Sequence, residues 1–234
     1  KVLMVLAVAV VLGLASRQQC MVWRDTESLF LHTLQVNPAS YRAENALGCV
    51  YQDRNNPTAA VPRFEAAVAI NPDYAQGHYN LAMSYSALGN YSGAATHLQK
   101  VLQLQPESAP VRNYLGAMLF QLGETEAAVE QFEKAIDVDP DWTEAWNNLI
   151  LTLIQCGRNA EALRGCDQAI DRDPLNVQAR FQRAELLVRL EREEEATREF
   201  LLLLNYFTQH GDQSNAREVR TRLEALQSNT QAKD

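Results

Sequence analysis

From residue 41 onward, apolar and polar positions follow a pattern that repeats every 34 residues. Each block holds two stretches in which apolar residues recur at spacings of three and four, the spacing of one face of an α-helix. A polar break separates the stretches, with glycine at Gly89, Gly123 and Gly157. A proline closes each of the first four blocks, where it cannot continue a helix. The pattern predicts five helical hairpins, over residues 41–74, 75–108, 109–142, 143–176 and 177–210.

Small residues stand at the eighth and twentieth positions of most blocks, and a large residue stands at the twenty-fourth. In the first block these residues are Gly48, Ala60 and Phe64. We expect the small residues to let two helices approach closely and the large side chain to fill the remaining gap. The fourth block carries Ile150 and Cys166 at positions 8 and 24, which is a volume swap that keeps the pattern.

These features closely resemble the tetratricopeptide repeat (TPR): the period, the Leu–Gly/Ala pair at positions 7 and 8, alanine at 20, the aromatic at 24 and proline at 32. The resemblance covers the five blocks and implies an all-α fold. In that fold, antiparallel helix pairs stack into a right-handed superhelix, an α-solenoid with a concave and a convex face. The fifth repeat is degenerate, because Arg183 replaces the usual leucine and the closing proline is absent.

Both ends of the repeat array differ from the five blocks. Residues 23–40 have the layout of a second repeat helix alone, with Phe30 at the aromatic position and Pro38 at the end. Residues 213–228 predict an amphipathic helix whose apolar stripe, Val219, Leu223 and Leu226, caps the stack. Residues 229–234 are predicted to be a disordered tail.

The first 22 residues are predicted to form an apolar helix that spans or anchors in a membrane. No polar side chain occurs from residue 2 to residue 15. A helix of that length covers ~21 Å, less than the ~30 Å of a bilayer core. We favour the end of a longer transmembrane helix; a signal peptide or signal anchor and a buried soluble helix are the alternatives.

An apolar helix followed by a half repeat and then full repeats resembles the junction in transmembrane-and-TPR proteins, which are multi-span membrane proteins. That resemblance implies repeats that lie outside the cytoplasm, in a periplasm or lumen, with the cytoplasmic face left open. Lys1 and Arg17 do not decide the orientation by charge.

The composition and the absence of catalytic motifs argue against an enzyme and against a nucleic-acid-binding protein. The net charge is −8, whereas a nucleic-acid binder needs a basic face. The sequence has no GxGxxG, Walker, HExxH or GxSxG motif, so we predict no enzyme, no cofactor and no metal site. His78 and His97 stand at positions 4 and 23 of one repeat and are expected to be neighbours, but two imidazoles alone rarely hold a metal.

In the resembled family the first helix of each pair lines the concave groove, with positions 2, 5, 6, 9, 12 and 13 facing inward. Asparagine recurs here at position 5 or 6, which resembles the asparagine ladder in the repeat domain of the O-linked N-acetylglucosamine transferase. An amide both donates and accepts, so it can bond to the backbone of an extended peptide. Alternatively, these amides bond a neighbouring helix and the aromatics pack in the core. The candidate groove residues are Asn45, Gln52, Tyr79, Asn80, Met83, Asn113, Tyr114, Phe120, Asn147, Asn148, Phe181 and Gln182.

The expected partner is another protein or an extended peptide. A carboxylate clamp of the Hsp70/Hsp90 type is not expected, because it needs Lys and Arg at inward positions. The equivalent residues here are Asn45, Cys49, Asn80, Pro110 and Tyr114. The sequence therefore predicts a membrane-tethered, protein-binding scaffold. The alternatives are an accessory repeat domain of a multi-span membrane glycosyltransferase and a self-assembling scaffold.

Overall fold

Twelve α-helices joined by short turns make up residues 25–233, the part of the chain that the computed structural model describes. The predicted apolar helix over residues 1–22, with its membrane role, lies outside the described residues. Within residues 25–233, none of the helices combines the length and apolar character needed to cross a bilayer. The helices are α1 (Thr26–Val36), α2 (Tyr41–Asp53), α3 (Pro57–Ile70), α4 (Ala75–Ala87), α5 (Tyr91–Leu104), α6 (Ala109–Gln121), α7 (Thr125–Val138), α8 (Thr143–Gln155), α9 (Asn159–Arg172), α10 (Val177–Arg189), α11 (Glu193–Gln209) and α12 (Gln213–Lys233).

The helices form two compact units, one ending at Pro106 and the other beginning at Glu107. In the first unit, α1 packs on α2, and the hairpins α2/α3 and α4/α5 pack through α3 and α4. In the second unit, the hairpins α6/α7, α8/α9 and α10/α11 follow one another, and α12 packs on α11. Each hairpin corresponds to one of the 34-residue blocks.

Small residues allow the two helices of a hairpin to approach closely, as the sequence predicts. A Cβ atom added to Gly48 would lie 2.5 Å from Cε1 of Phe64, and one added to Gly116 would lie 2.7 Å from Cε1 of Phe132. Both rings are almost completely buried. In the fourth repeat Ile150 is buried instead, and the smaller Cys166 takes the place of the ring. The side chains at positions 8 and 24 therefore fill the same space between the two helices, so a larger residue at one position goes with a smaller residue at the other.

The turn inside each hairpin needs a residue in the left-handed region. Gly89, Gly123 and Gly157 adopt φ values of 75°, 79° and 73°. The same position in the first and fifth repeats holds Asn55, with φ 54°, and Glu191, with φ 58°. Asparagine tolerates this conformation, whereas for glutamate it is strained.

Proline and capping residues fix the start of α3. Pro57 occupies the first turn, and the Asn56 side chain accepts a hydrogen bond from the backbone N–H of Ala59 at 3.1 Å. Pro62 lies inside α3, yet the helix runs without a break to Ile70. The repeat therefore survives a proline that removes one backbone hydrogen bond.

The last helix, α12, packs on α11. Val219, Leu223 and Leu226 are buried, so the predicted apolar stripe is confirmed. The sequence predicts that this helix ends at residue 228 and that a disordered tail follows, whereas the helix extends to Lys233.

Candidate functional site

The twelve candidate groove residues differ in exposure. Asn45, Asn80 and Asn113 are buried, with 9%, 8% and 1% of their surface exposed. The other nine are half-buried: Gln52, Tyr79, Met83, Tyr114, Phe120, Asn147, Asn148, Phe181 and Gln182.

The buried asparagines bond asparagines of the next repeat. Asn80 donates an N–H from Nδ2 to Oδ1 of Asn45 at 2.9 Å, which joins α4 to α2. Oδ1 of Asn80 in turn accepts from Nε2 of Gln76 at 2.9 Å. Because both amides are buried and bonded to one another, they hold neighbouring repeats together at this point.

The same pairing recurs in the second unit. Asn148 donates from Nδ2 to Oδ1 of Asn113 at 2.9 Å, joining α8 to α6. Asn113 donates from its own Nδ2 to Glu144 at 3.3 Å, and Asn176 donates to Oδ1 of Asn147 at 3.4 Å. In both units position 5 of one repeat accepts from position 6 of the next. Asn45, Asn80, Asn113 and Asn148 are therefore bonded between neighbouring repeats. A ladder that binds a peptide stays a prediction.

A pocket of about 180 Å³ lies between α6 and α8 in the second unit, and Phe132 of α7 also lines it. Its apolar part includes Phe120 and Leu151, and Leu151 is 36% exposed. Amides of Gln121, Asn148 and Gln155 also line it. The complete lining is Ala117, Phe120, Gln121, Phe132, Asn148, Leu151, Thr152 and Gln155.

The pocket brings together two of the candidate groove residues, Phe120 and Asn148. The sequence-based candidates do not include Ala117 and Leu151, although both stand at position 9, which faces the groove in the resembled family. Applying that column to every repeat would have found them. Phe181 instead packs edge-on against the buried ring of Phe200, with centroids 6.1 Å apart, so its ring contributes to the core.

In the first and fifth repeats, the side chains at positions 4 and 23 form an ion pair between the two helices of the hairpin. Arg63 bonds Glu44 at 3.3 Å, and Arg180 bonds Glu199 at 3.3 Å. Arg183, the departure from leucine in the fifth repeat, also bonds the buried Glu199 at 2.8 Å. Arginine at position 7 is therefore accommodated because a carboxylate faces it.

In the second repeat positions 4 and 23 hold two histidines that are neighbours, as predicted. Nδ1 of His78 lies 2.9 Å from Nδ1 of His97, and Nε2 of His78 lies 2.9 Å from the carbonyl oxygen of Pro72. A carbonyl only accepts, so Nε2 of His78 carries the proton, and its Nδ1 accepts from His97 when both rings are neutral. Burial, with the nearby His78, lowers the pKa of His97. Among the described residues, no three His, Cys, Asp or Glu side chains are grouped to hold a metal ion.

Several solved structures share this fold. MamA is 19% identical and matches 71% of this chain and 97% of its own, with a TM-score of 0.67. YrrB, described as a TPR protein with an unusual peptide-binding site, is 18% identical, with 82% and 97% covered and a TM-score of 0.66. PilF of Pseudomonas aeruginosa is 20% identical, with 83% and 97% covered and a TM-score of 0.57. These likenesses show the all-α TPR solenoid fold.

Two family models agree with that assignment, and both are described as tetratricopeptide repeat. One matches residues 45–109 and 148–205, and the other matches residues 87–153. No curated protein matches the chain. Proteins of this repeat are generally non-catalytic scaffolds, which agrees with a chain that is not an enzyme. The chain therefore belongs to the tetratricopeptide-repeat family.

Proposed function

We propose that the chain is a protein-binding scaffold that holds an extended segment of another protein between α6 and α8. The observation that carries this proposal is the pocket of about 180 Å³, which combines an apolar surface with three side-chain amides. An apolar side chain of the segment enters beside Phe120 and Leu151. The amides of Gln121, Asn148 and Gln155 bond its backbone.

The hydrogen-bonding chemistry of the lining fits a peptide backbone. One N–H of the Asn148 amide is used by Asn113, but an amide has a second N–H and an oxygen with two lone pairs. The glutamine amides add further donors and acceptors. Because these bond the peptide backbone, they can bind segments with different side chains. Peptide recognition of the kind named for YrrB supports the same class of partner.

The apolar pocket sets the scale of the affinity. Burying one side chain such as Val, Leu or Met contributes about 1.5–3 kcal/mol, or roughly 10- to 150-fold in binding. A single anchor of this size, with a few backbone hydrogen bonds, favours a weak and reversible complex. Specificity then comes from the apolar residue of the segment and from its neighbours along the groove.

The proposal is tested with Leu151→Glu in the full chain. Peptides are selected from a random displayed library, and their dissociation constants are measured by fluorescence anisotropy. A charge in the pocket should weaken binding at least about tenfold. Leu190→Glu is the matched control, because Leu190 is 37% exposed and does not line the pocket. Equal affinities for the two variants would contradict the proposal.

In the proposed arrangement residues 1–22 tether the repeats to a membrane, on the periplasmic or lumenal side. The support is the apolar run from residue 2 to residue 15. Carbonate extraction of cell membranes tests the tether, with Val5→Lys/Val10→Lys as the variant expected to be released. Protease protection tests the side. Extraction of the unaltered chain by carbonate would contradict the tether.

Self-association and an accessory role beside a membrane glycosyltransferase stay predictions of the sequence. Light scattering of the full chain in detergent over a concentration series separates the first from a simple scaffold. Constant monomer mass argues against self-association.

A further inference from the structure

A larger cleft, of about 930 Å³, opens in the second unit between α7, α8 and α9. It shares no lining residue with the pocket between α6 and α8, so binding in the cleft is independent of the proposed function. The lining residues are Glu133, Ile136, Asp137, Pro140, Asp141, Trp146, Leu149, Gln168, Asp171 and Arg172.

The floor of this cleft is apolar and fixed in place. Ile136, Trp146 and Leu149 are buried, with 8%, 7% and 6% of their surface exposed. The indole N–H of Trp146 donates to the carbonyl oxygen of Pro140 at 2.8 Å, which fixes the orientation of the ring. The floor is therefore formed before any partner arrives, and little ordering cost remains for binding.

The rim of the cleft is acidic. Glu133 and Asp137 stand one turn apart on α7, Asp141 follows in the turn, and Asp171 lies on α9; all four are exposed. Among the described residues that line the cleft, Arg172 is the single cation, so four carboxylates and one guanidinium leave a net charge of −3.

The rim contains one weak ion pair. Arg172 lies 3.5 Å from Asp141, and their side chains are 49% and 84% exposed. Pairs this exposed contribute little to stability, so an incoming cation can replace the guanidinium at small cost. Arg172 therefore competes with a basic ligand for Asp141.

We propose that the cleft docks a segment of another protein that carries several lysines or arginines around one apolar side chain. Lysine and arginine have aliphatic stems that can cover Trp146 and Leu149 while their charged ends reach the carboxylates. Charge complementarity selects this partner, since an acidic segment or a nucleic acid would be repelled by the rim.

The test uses the full chain and a labelled peptide of about twelve residues, with four lysines around a central leucine. Binding is measured by fluorescence anisotropy at about 0.15 M salt, where the Debye length is about 8 Å. A peptide with glutamine in place of lysine serves as the neutral probe. The rim variant is Glu133→Gln/Asp137→Asn/Asp171→Asn.

The matched control is Glu191→Gln/Glu194→Gln/Glu224→Gln, which removes three exposed carboxylates of the same unit outside the cleft. We expect the rim variant to weaken binding about tenfold and the control to change it by less than about twofold. Circular dichroism should show unchanged helicity in both, because every altered side chain is exposed.

Arg172→Ala gives a second, opposite readout. Removing the guanidinium from the rim should tighten binding of the lysine peptide about two- to threefold. Leu151→Glu should leave this affinity unchanged, which separates the cleft from the pocket of the proposed function. Equal losses in the two triple variants, or weaker binding by Arg172→Ala, would overturn the proposal.

Discussion

Asn148 donates a hydrogen bond to Asn113 across two neighbouring repeats, with Nδ2 and Oδ1 separated by 2.9 Å. Asn113 is 1% exposed and also donates to Glu144. A buried amide that loses its partner cannot turn to water, so this pair connects the two repeats energetically as well as geometrically.

Asn148→Ala should lower the free energy of unfolding by roughly 1–3 kcal/mol, because it leaves Oδ1 of the buried Asn113 without its donor. The loss of this hydrogen bond should cost less in Asn113→Ala, since the Asn148 side chain that it leaves unpaired is half-buried and can bond to water. Urea denaturation of both single variants and the double variant gives their coupling energy, which we expect to be about 1 kcal/mol.

The control is a second double-mutant cycle, which combines Asn113→Ala with a change at the exposed Asn205 on α11. Asn205→Ala should be additive with Asn113→Ala within about 0.5 kcal/mol. A coupling as small for Asn113 and Asn148 as for the control pair would show that the hydrogen bond contributes nothing measurable.

The helices were predictable because each 34-residue block repeats the same local constraints. Apolar spacing marks both helices, and the small residue at Gly48 together with Phe64 marks their close approach. The left-handed turn was recognised where glycine marks it, but Asn55 and Glu191 adopt the same backbone without that signal. The place in the repeat, position 15, therefore predicts the left-handed turn better than the presence of glycine does.

The candidate site was less predictable. Which asparagines meet depends on the stagger between hairpins, and no single repeat reveals that position 5 bonds position 6 of the next. The pocket beside Leu151 and the cleft above Trp146 are gaps between three helices. Their volumes depend on packing distances of a few ångströms, which the sequence pattern does not determine.

The pair formed by His78 and His97 makes stability depend on pH. Burial and the neighbouring imidazole lower the pKa of His97 below its ordinary 6.5, with a smaller opposing effect from Glu65. As pH falls through about 6.5, the unfolded chain binds the proton first, so the free energy of unfolding decreases. The full contribution is present above that pH and is lost as the pH approaches the folded-state value.

We expect urea midpoints to drop between about pH 7.5 and about pH 5.5, and His97→Gln to reduce this drop. His210→Gln is the control, because His210 is exposed and belongs to the turn after α11. An unchanged pH dependence in His97→Gln would contradict a role for the histidine pair.

Replacing Glu191 by glycine should stabilise the chain. Glu191 has φ 58°, a conformation that costs a residue with a Cβ atom roughly 1–2 kcal/mol, while glycine adopts it freely. After the entropic cost of glycine in the unfolded chain, a gain of about 0.5–1 kcal/mol remains. Glu224→Gly, in the interior of α12, should instead cost about 1 kcal/mol, so one substitution has opposite signs at two exposed sites. Thermal melts distinguish them, and a loss of stability at both sites would argue against strain at Glu191.

Gly116→Ala should destabilise the chain, because its Cβ atom would lie 2.7 Å from the ring of Phe132. Overpacking of this kind costs about 1–3 kcal/mol. The fourth repeat shows the compensation, since Ile150 is buried there with the smaller Cys166 at the aromatic position. Adding Phe132→Leu to Gly116→Ala should therefore recover part of the loss, although Phe132→Leu alone leaves a cavity and is itself destabilising. Chemical denaturation of the two single variants and the double variant measures the coupling. Additive losses would mean that positions 8 and 24 do not fill the same space, whereas a double variant more stable than the sum of its parts would establish that they do.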